Sequence, residues 1–428
     1  MIAGLLTTLF YCLLLIVDYK KGVLFSAFTI QFLAYLGCGI PGFKVFLVVV
    51  ALSIVLLPFH YNKLSKQPYP KVLVFSFILF ALSYFLSEYF SKLKGNTMLV
   101  IANLCSNFVF PFIVFKCIDT ERDLKRAVRY LYYLMFFACS YSVFEALIGH
   151  NYILDLISSN YIMEDFIYDV SEKRFGLKRC NSIFSYFTTY GVPCVLSFAV
   201  FYALNYKYKG LTRHKHMGML LILLLFGALA TGSRAVLLGI GLTLLLLLFQ
   251  KQFLLSRKSS LIILLTLFLL PGIIYYIGVL ADSMINANAS KVGGSTIDLR
   301  MRQWEISWDY AKDSLWFGNG RMYIWEVVKP KHYELAGAES IWFSIFVDYG
   351  VLGAIAFLYL IYACVRVLRR INWRYTCIPL SYLLILSLSP DTGVQYNVLI
   401  TFTILLYKIN YKDNKKPYGK IFSHRSSL

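Results

Sequence analysis

Long apolar runs, separated by short polar segments, occupy most of the chain. Most of these runs contain about 16 to 23 residues, which is enough for an α-helix to cross a hydrocarbon layer of roughly 30 Å. The pattern predicts 13 membrane spans, or 12 because the first three runs are short and crowded. The predicted spans lie near 2–17, 23–40, 43–59, 72–90, 98–115, 127–148, 183–205, 217–231, 235–249, 260–280, 340–365, 375–389 and 394–408.

Two long polar stretches, 149–182 and 281–338, interrupt this series of spans. Cytoplasmic segments of membrane proteins carry an excess of Lys and Arg, so the basic tail 409–428 is predicted to be cytoplasmic. Alternation of the spans then places both long stretches outside. Their charges are balanced, with seven basic and seven acidic residues in 281–338 and four basic and five acidic in 149–182. The basic residues between other runs include Lys63, Lys66, Lys71, Lys207, Lys209, Arg213, Lys215, Lys251, Arg257, Lys258, Arg366, Arg369, Arg370 and Arg374.

Composition supports the same architecture. Hydrophobic residues make up 59% of the 428 residues and charged residues only 15%, whereas soluble domains are near half apolar and a quarter charged. We therefore predict an all-α polytopic membrane protein that forms one integral membrane domain over 1–428. The run from Met1 to Val17 has no basic residues before it and no small-residue cleavage site, so it is interpreted as the first span and not as a signal peptide.

The net charge of +20 does not indicate a nucleic-acid partner, because the basic residues lie in separate short segments and form no continuous basic face. The nine Cys are scattered and mostly within apolar runs, which is typical of small core residues. No metal-type Cys spacing, P-loop, Rossmann glycine pattern, HExxH or nucleophile elbow is present. We expect no cofactor and no metal.

One candidate site residue, Arg234, lies in the only break between two apolar runs, Thr231-Gly-Ser-Arg234. This position is the predicted outer mouth of a tight helical hairpin. Arg234 is either a turn residue that reaches lipid phosphate or a fixed guanidinium that binds a phosphate group of a substrate.

The outer stretch 300–320 predicts an amphipathic helix. Arg300, Trp304, Trp308, Ala311 and Leu315 share one helical face, whereas Arg302 lies about 200° around the helix from Arg300. Such a helix either rests on lipid or roofs a cavity. Gly318 and Gly320 are expected to end it in a sharp turn.

Two carboxylates, Glu339 and Asp348, lie at the start of the predicted span 340–365 and within it. Glu339 stands at its outer start and is either an acid favoured at a helix N-terminus or a base that accepts a proton from a hydroxyl. Asp348 lies nine residues further on, or roughly 13 Å deeper, and is interpreted as a buried structural acid.

The end of the first outer loop adds basic residues, Arg174, Lys178 and Arg179, where it enters a span. Arg179 and Arg302 are further candidates for substrate binding. Weaker candidates are Arg174, Arg321, His332, Glu145 and Asp391.

At these residues the chain resembles the bacterial O-antigen polymerase and O-antigen ligase superfamily. That family shows a Ser-Arg hairpin, an Arg four residues before a Trp in a large periplasmic loop, a Gly-x-Gly turn, a polar residue that opens the next span, and an acid followed by Gly-x-x-Gly. The corresponding residues here, over about 231–353, are Ser233-Arg234, Arg300, Trp304, Gly318, Gly320, Glu339, Asp348, Gly350 and Gly353.

Two departures from the family pattern bear on activity. Leu315 stands where Pro is usual, which a helix end tolerates. Glu339 stands where ligases carry a His, and an acid there is more usual among polymerases. The resemblance therefore favours a polymerase over a ligase.

The resemblance implies a glycosyltransferase with a GT-C-like architecture in the bacterial plasma (inner) membrane, acting on its periplasmic or extracellular side. Its donor would be a glycan on undecaprenyl diphosphate, and its acceptor a repeat unit on the same carrier. The implied transfer inverts the anomeric centre and needs no cofactor. Arg234 and Arg300 would stabilise the leaving diphosphate, with Glu339 as the base.

Other functions remain open at this stage. A ligase would transfer the glycan to lipid A-core, and a flippase would move lipid-linked oligosaccharide across the membrane. The absence of an internal repeat disfavours transporters, many of which contain two related halves. A non-catalytic chain-length co-regulator usually has only two spans. A chain-length regulator and a flippase are instead expected as possible partners.

Overall fold

The computed structural model describes residues 2–40, 43–93, 97–160, 173–174, 177–207, 217–248, 297–335, 340–389 and 396–413. These parts of the chain are almost entirely helical, which confirms the predicted all-α polytopic membrane fold. Extended structure within them is limited to an isolated bridge between Gly37 and Lys44 and a short antiparallel ladder of β1 (Lys173–Arg174) with β2 (Leu177–Lys178).

The helices are α1 (Ile2–Val17), α2 (Tyr19–Ala27), α3 (Val45–His60), α4 (Lys71–Tyr89), α5 (Thr97–Leu104), α6 (Phe110–Cys117), α7 (Glu121–Ile148), α8 (Tyr152–Asn160), α9 (Phe187–Lys207), α10 (Met217–Ala230), α11 (Arg234–Leu248), α12 (Ile297–Ala311), α13 (Ile341–Ser344), α14 (Gly350–Arg369), α15 (Cys377–Leu388) and α16 (Tyr396–Asp413).

Six helical segments of the described chain are long and apolar enough to cross a membrane, and three shorter apolar helices accompany them. The predicted span 260–280 lies outside the described residues. The long segments are Val45–Lys63, Lys71–Tyr89, Thr97–Cys117, Glu121–Ile148, Phe187–Leu204 and Ile341–Arg369, and the shorter ones are Ile2–Val17, Met217–Ala230 and Arg234–Leu247.

The predicted span 23–40 is not one continuous helix. Helix α2 ends at Ala27, where the Phe28 N–H is shared among the carbonyls of the last turn, and the chain continues as turns. Polar side chains occupy this part of the apolar run. The Thr29 hydroxyl donates to the Phe25 carbonyl at 2.6 Å, and Gln31 Nε2 donates to Thr401 Oγ1 at 3.5 Å. These contacts satisfy polar groups inside the bundle that lipid cannot satisfy.

The span that follows the second outer loop is also interrupted. A π-helical turn, Ile345–Tyr349, separates α13 from α14, and Gly350 adopts a positive φ of 63°. A side chain at Gly350 would collide with the Leu315 carbonyl and the Gly318 backbone. The interruption thus allows the outer loop to approach the span backbone closely.

The loop that precedes this interrupted span forms a small packed layer on it. Its own apolar side chains cluster with Phe343 and Val347 of the span, and the loop members are Ala311, Tyr323, Ile324, Val328 and Leu335. The buried Asp348 carboxylate accepts the N–H groups of Met322 at 3.0 Å and Ile324 at 2.9 Å. These contacts confirm the interpretation of Asp348 as a structural acid.

Helices α11 and α15 pack side by side in opposite directions. The Ser381 hydroxyl donates to the Gly239 carbonyl at 2.9 Å and lies 2.8 Å from Thr243 Oγ1. Since Arg234 precedes Gly239 by more than one turn, this antiparallel register places Arg234 close to the C-terminal end of α15.

Candidate functional site

The hairpin between α10 and α11 is a short turn with Arg234 at its exit. Gly232 has a φ of 58°, and the Thr231 hydroxyl accepts the Ser233 N–H at 3.2 Å. The Ser233 hydroxyl in turn accepts the Val236 N–H at 3.5 Å. Half-buried Arg234 therefore begins a helix, and a helix N-terminus favours an anion.

Arg179 packs directly against this hairpin. Its Nε donates to the Thr231 carbonyl at 3.2 Å, and its guanidinium stacks 3.3 Å from the centre of the Phe187 ring. Arg179 is only 5% exposed, so its position is fixed by these contacts. The structure therefore brings the Arg179 side chain to the hairpin that carries Arg234.

Helix α12 is confirmed as a helix, but its buried stripe differs from the predicted face. Gln303, Ser307 and Ala311 are buried, whereas Trp304 is 40% and Trp308 53% exposed. Gln303 lies inward because its Nε2 donates to the Glu334 carbonyl at 2.7 Å. The tryptophans therefore lie on the flank of the helix and not at the centre of its buried face.

The two arginines of α12 have different surroundings. Arg300 is half-buried and precedes Gln303 by three residues, which places it next to the buried stripe. Arg302 is exposed, and its Nε lies 3.8 Å from a Glu334 carboxylate oxygen. The predicted separation of Arg300 from Arg302 therefore holds in the described helix.

Trp304 connects α12 to the span that enters the membrane after the loop. Its ring packs edge-on against Phe343 at 4.9 Å and lies 6.4 Å from Phe346. Trp342, on the same span, donates from Nε1 to Ser387 Oγ of α15 at 3.0 Å. Helix α12 thus contacts the entering span, the entering span contacts α15, and α15 contacts α11.

Glu339 and Asp391 both lie outside the described residues, so their roles remain predictions. The residue after Glu339 is described. Ser340 caps the entering helix, with its hydroxyl accepting the Trp342 N–H at 3.3 Å. Glu339 thus directly precedes a helix N-cap in the sequence. Asp391 falls in the short stretch between α15 and α16.

The weaker basic candidates have separate contacts in the described part of the chain. Arg321 Nη1 donates to the Leu99 carbonyl at 2.6 Å, and His332 Nε2 lies 3.2 Å from the Tyr310 hydroxyl. The backbone of Arg174 pairs with Leu177 in the β-ladder, and its side chain lies outside the described part. None of these contacts brings the three residues to the Arg234 hairpin.

Glu145 is buried and contacts backbone N–H groups of the segment that enters α9. Its carboxylate accepts from Ser182 at 2.8 Å and from Asn181 at 3.4 Å. Sequence reasoning missed this role because the partners are backbone groups more than thirty residues away, which leave no residue-type pattern. Among the described residues, no group of three His, Cys, Asp or Glu could hold a metal ion.

Comparison with known families gives one match. Residues 219–358 match the family model described as O-antigen ligase, which confirms the resemblance to the O-antigen ligase and polymerase superfamily. The matched segment contains the turn before Arg234, α12 and the interrupted span up to residue 358 of α14. No curated protein matches the chain significantly.

Proposed function

We propose that this chain, which carries a segment of the O-antigen ligase family, polymerises oligosaccharide repeat units linked to undecaprenyl diphosphate. The observation that supports the proposal is the presence of guanidinium groups on packed elements, which we propose to face the outside of the membrane. Arg179 is held against the Arg234 hairpin, and Arg300 lies on α12 beside the entering span. Both Arg234 and Arg300 lie in the family-matched segment.

Diphosphate chemistry explains why guanidinium groups are needed there. A hydroxyl oxygen of the acceptor sugar attacks the anomeric carbon of the donor and forms a new glycosidic bond. The bond between that carbon and the diphosphate oxygen breaks, and undecaprenyl diphosphate leaves with both bonding electrons. The attack comes from the opposite face, so the anomeric centre is inverted. Fixed cations stabilise the charge that develops on the leaving group.

Arg234 and Arg300 are proposed to contact the diphosphate, since a planar guanidinium can donate two parallel hydrogen bonds to phosphate oxygens. Arg179 adds a third positive charge next to the hairpin, with its Nε already committed to the Thr231 carbonyl. Arg302 is proposed as a secondary contact at most, because its side chain is exposed and faces Glu334.

The proton of the attacking hydroxyl needs an acceptor, and Glu339 is the proposed base. A free carboxylate with a pKa near about 4.3 is a weak base for a sugar hydroxyl. An oxocarbenium-like transition state lowers that demand, because bond breaking to the diphosphate runs ahead of hydroxyl attack. An acid at this family position, where ligases carry a His, supports polymerisation over ligation.

The distribution of basic groups also bears on a transport function. A flippase would need basic residues around a diphosphate in a central cavity between repeated bundles. Arg234 instead begins α11, and Arg300 lies in the first turn of the loop helix α12. A chain-length regulator and a flippase are proposed as partner proteins of the polymerase.

Deletion of the gene in its host, followed by analysis of the glycans, tests the proposal. Loss of the polymerase should leave single repeat units on the final acceptor. Long chains that stay on undecaprenyl diphosphate would instead indicate a ligase. Lipid-linked repeat units that accumulate on the cytoplasmic side would indicate a flippase. Either of these two outcomes contradicts the proposal.

A further inference from the structure

Glu145 is a buried acid close to the outer surface of the bundle. It lies three residues before the end of α7 and is only 1% exposed. Both carboxylate oxygens are engaged, because Oε2 accepts the Ser182 N–H at 2.8 Å and Oε1 accepts the Asn181 N–H at 3.4 Å. A carboxylate in this arrangement does not meet a substrate hydroxyl, so it is not placed to act as a base.

The residues that Glu145 holds belong to a buried stretch that we call the entry segment, residues 178–184. Ser182 adopts a positive φ of 55°, a conformation that non-glycine residues rarely hold without support. Asn151 Nδ2 donates to the Ser182 carbonyl at 2.8 Å, and the Ser182 hydroxyl donates to the Ala138 carbonyl at 2.6 Å. Three side-chain contacts therefore fix this one turn.

The entry segment in turn contacts the Arg234 hairpin. The Cys180 N–H donates to the Ala230 carbonyl at 2.8 Å, and Arg179 Nε donates to the Thr231 carbonyl at 3.2 Å. Burial raises the pKa of the Cys180 thiol to about 12, so this residue acts through packing and its backbone. A continuous series of hydrogen bonds thus leads from Glu145 to the residues just before Arg234.

We infer that Glu145 is a positioning residue, which sets the Arg179 and Arg234 guanidinium groups at the spacing that binds a diphosphate. The ligand part of this inference rests on the proposed function. The structural part, that Glu145 holds the entry segment and the hairpin together, stands on the contacts alone. An error of about 1 Å in the placement of a binding group is enough to weaken catalysis severely.

Replacement of Glu145 by Gln probes this role with little change of shape. The Gln carbonyl can accept one of the two N–H groups, but its amide nitrogen then faces the other donor. A buried N–H is left without an acceptor, and a charge-assisted hydrogen bond is lost. The entry segment should shift to recover a partner, and the hairpin should shift with it.

The experiment measures binding of undecaprenyl diphosphate to the purified full-length chain in nanodiscs. Glu145→Gln should raise the Kd by about tenfold or more. The matched control is Asp155→Asn, because Asp155 is an exposed acid of the same outer region that pairs with His150. The control should bind within about twofold of the parent. An unchanged Kd for Glu145→Gln, with slower turnover, would make Glu145 a base and overturn the inference.

Coupling between sites gives the sharper test. If Glu145 acts through Arg179, the Glu145→Gln and Arg179→Lys effects on Kd should not multiply in the double variant, because both disturb the same hydrogen-bonded series. Glu145→Gln combined with Arg300→Ala should multiply, since Arg300 lies on a separate element. Multiplicative effects in both pairs would refute the positioning role.

Hydrogen exchange separates this inference from the proposed function. Glu145→Gln should speed exchange of the amides of Cys180, Asn181 and Ser182 and of the 230–237 stretch, with α4 and α14 unchanged. If the parent chain does not bind undecaprenyl diphosphate, the proposed function fails while the exchange result still decides the structural part. If Glu145→Gln does not fold, Asn151→Ala is the alternative variant, because it removes the hydrogen bond to the Ser182 carbonyl. It should give the same exchange pattern. Parent-like exchange in Asn151→Ala would overturn the inference.

Discussion

Replacement of Arg300 by Ala should cost far more activity than replacement of Arg302 by Ala, although the two residues are only two positions apart. Arg302 is 69% exposed, and its closest acidic oxygen, on Glu334, lies at 3.8 Å. Exposed ion pairs contribute about 0–1 kcal/mol, so Arg302→Ala should change activity by less than about fivefold.

The expected loss for Arg300 follows from its half-buried place beside the stripe of Gln303 and Ser307. A hydrogen bond between a charged donor and a phosphate in a partly dry site contributes about 1.5–3 kcal/mol. At about 1.4 kcal/mol per factor of ten, that range corresponds to a loss of roughly ten- to hundredfold. The loss for Arg300→Ala should therefore exceed the loss for Arg302→Ala by at least about twofold.

The assay is polymerisation of purified lipid-linked repeat units in nanodiscs, with product length followed on gels and substrate binding measured separately. Arg300→Ala should weaken binding, and both variants should keep the parent melting temperature. Equal losses for the two variants would refute the reasoning, because they would mean that the opposite faces of α12 reach the substrate equally. A drop in melting temperature confined to Arg300→Ala would show a structural role instead.

Three further predictions test other parts of the structure. A Cys that replaces exposed Ser159 should react with a membrane-impermeant maleimide in intact spheroplasts, whereas a Cys that replaces Lys63 should not. The reverse result would show that the predicted topology is inverted. Asp348→Asn should leave one of the two buried backbone N–H groups that Asp348 accepts without an acceptor, and it should destabilise the protein by about 1–3 kcal/mol. The melting temperature should therefore fall, and an unchanged melting temperature would contradict the structural role of Asp348. Arg234→Lys should bind lipid-linked substrate poorly, whereas Glu339→Gln should bind it normally and turn over about 10²-fold or more slowly; parent-like turnover of Glu339→Gln would remove it as the base.

Hydropathy alone predicted most of the architecture, for a physical reason. Each span must bury its backbone polar groups in its own helix because lipid offers no partners, so the local run of apolar residues determines the element. Helix α12 could also be predicted from its local sequence, because the periodicity of this segment indicated an amphipathic helix. Its bounds, Ile297–Ala311, include both arginines and both tryptophans of the predicted amphipathic stretch.

Tertiary contacts determined what the sequence did not reveal. The buried face of α12 is set by the Gln303 contact with the Glu334 carbonyl, which periodicity cannot anticipate because a Gln scores as polar. Beyond the end of α2 at Ala27, Gln31 is also buried, and its Nε2 donates to Thr401 Oγ1 of a distant helix at 3.5 Å. In both cases the amide nitrogen of a buried Gln finds an acceptor that is distant in the sequence.

The two buried acids Glu145 and Asp348 share one structural role, which argues against either of them as the base. Each carboxylate lies in a membrane helix segment and accepts two backbone N–H groups from the loop that packs on it. Because both oxygens of each carboxylate accept backbone hydrogen bonds, neither acid is placed to accept a proton from a sugar hydroxyl. For the proposed glycosyl transfer, the demand for a base therefore falls on a residue outside these two networks, as the Glu339→Gln variant tests.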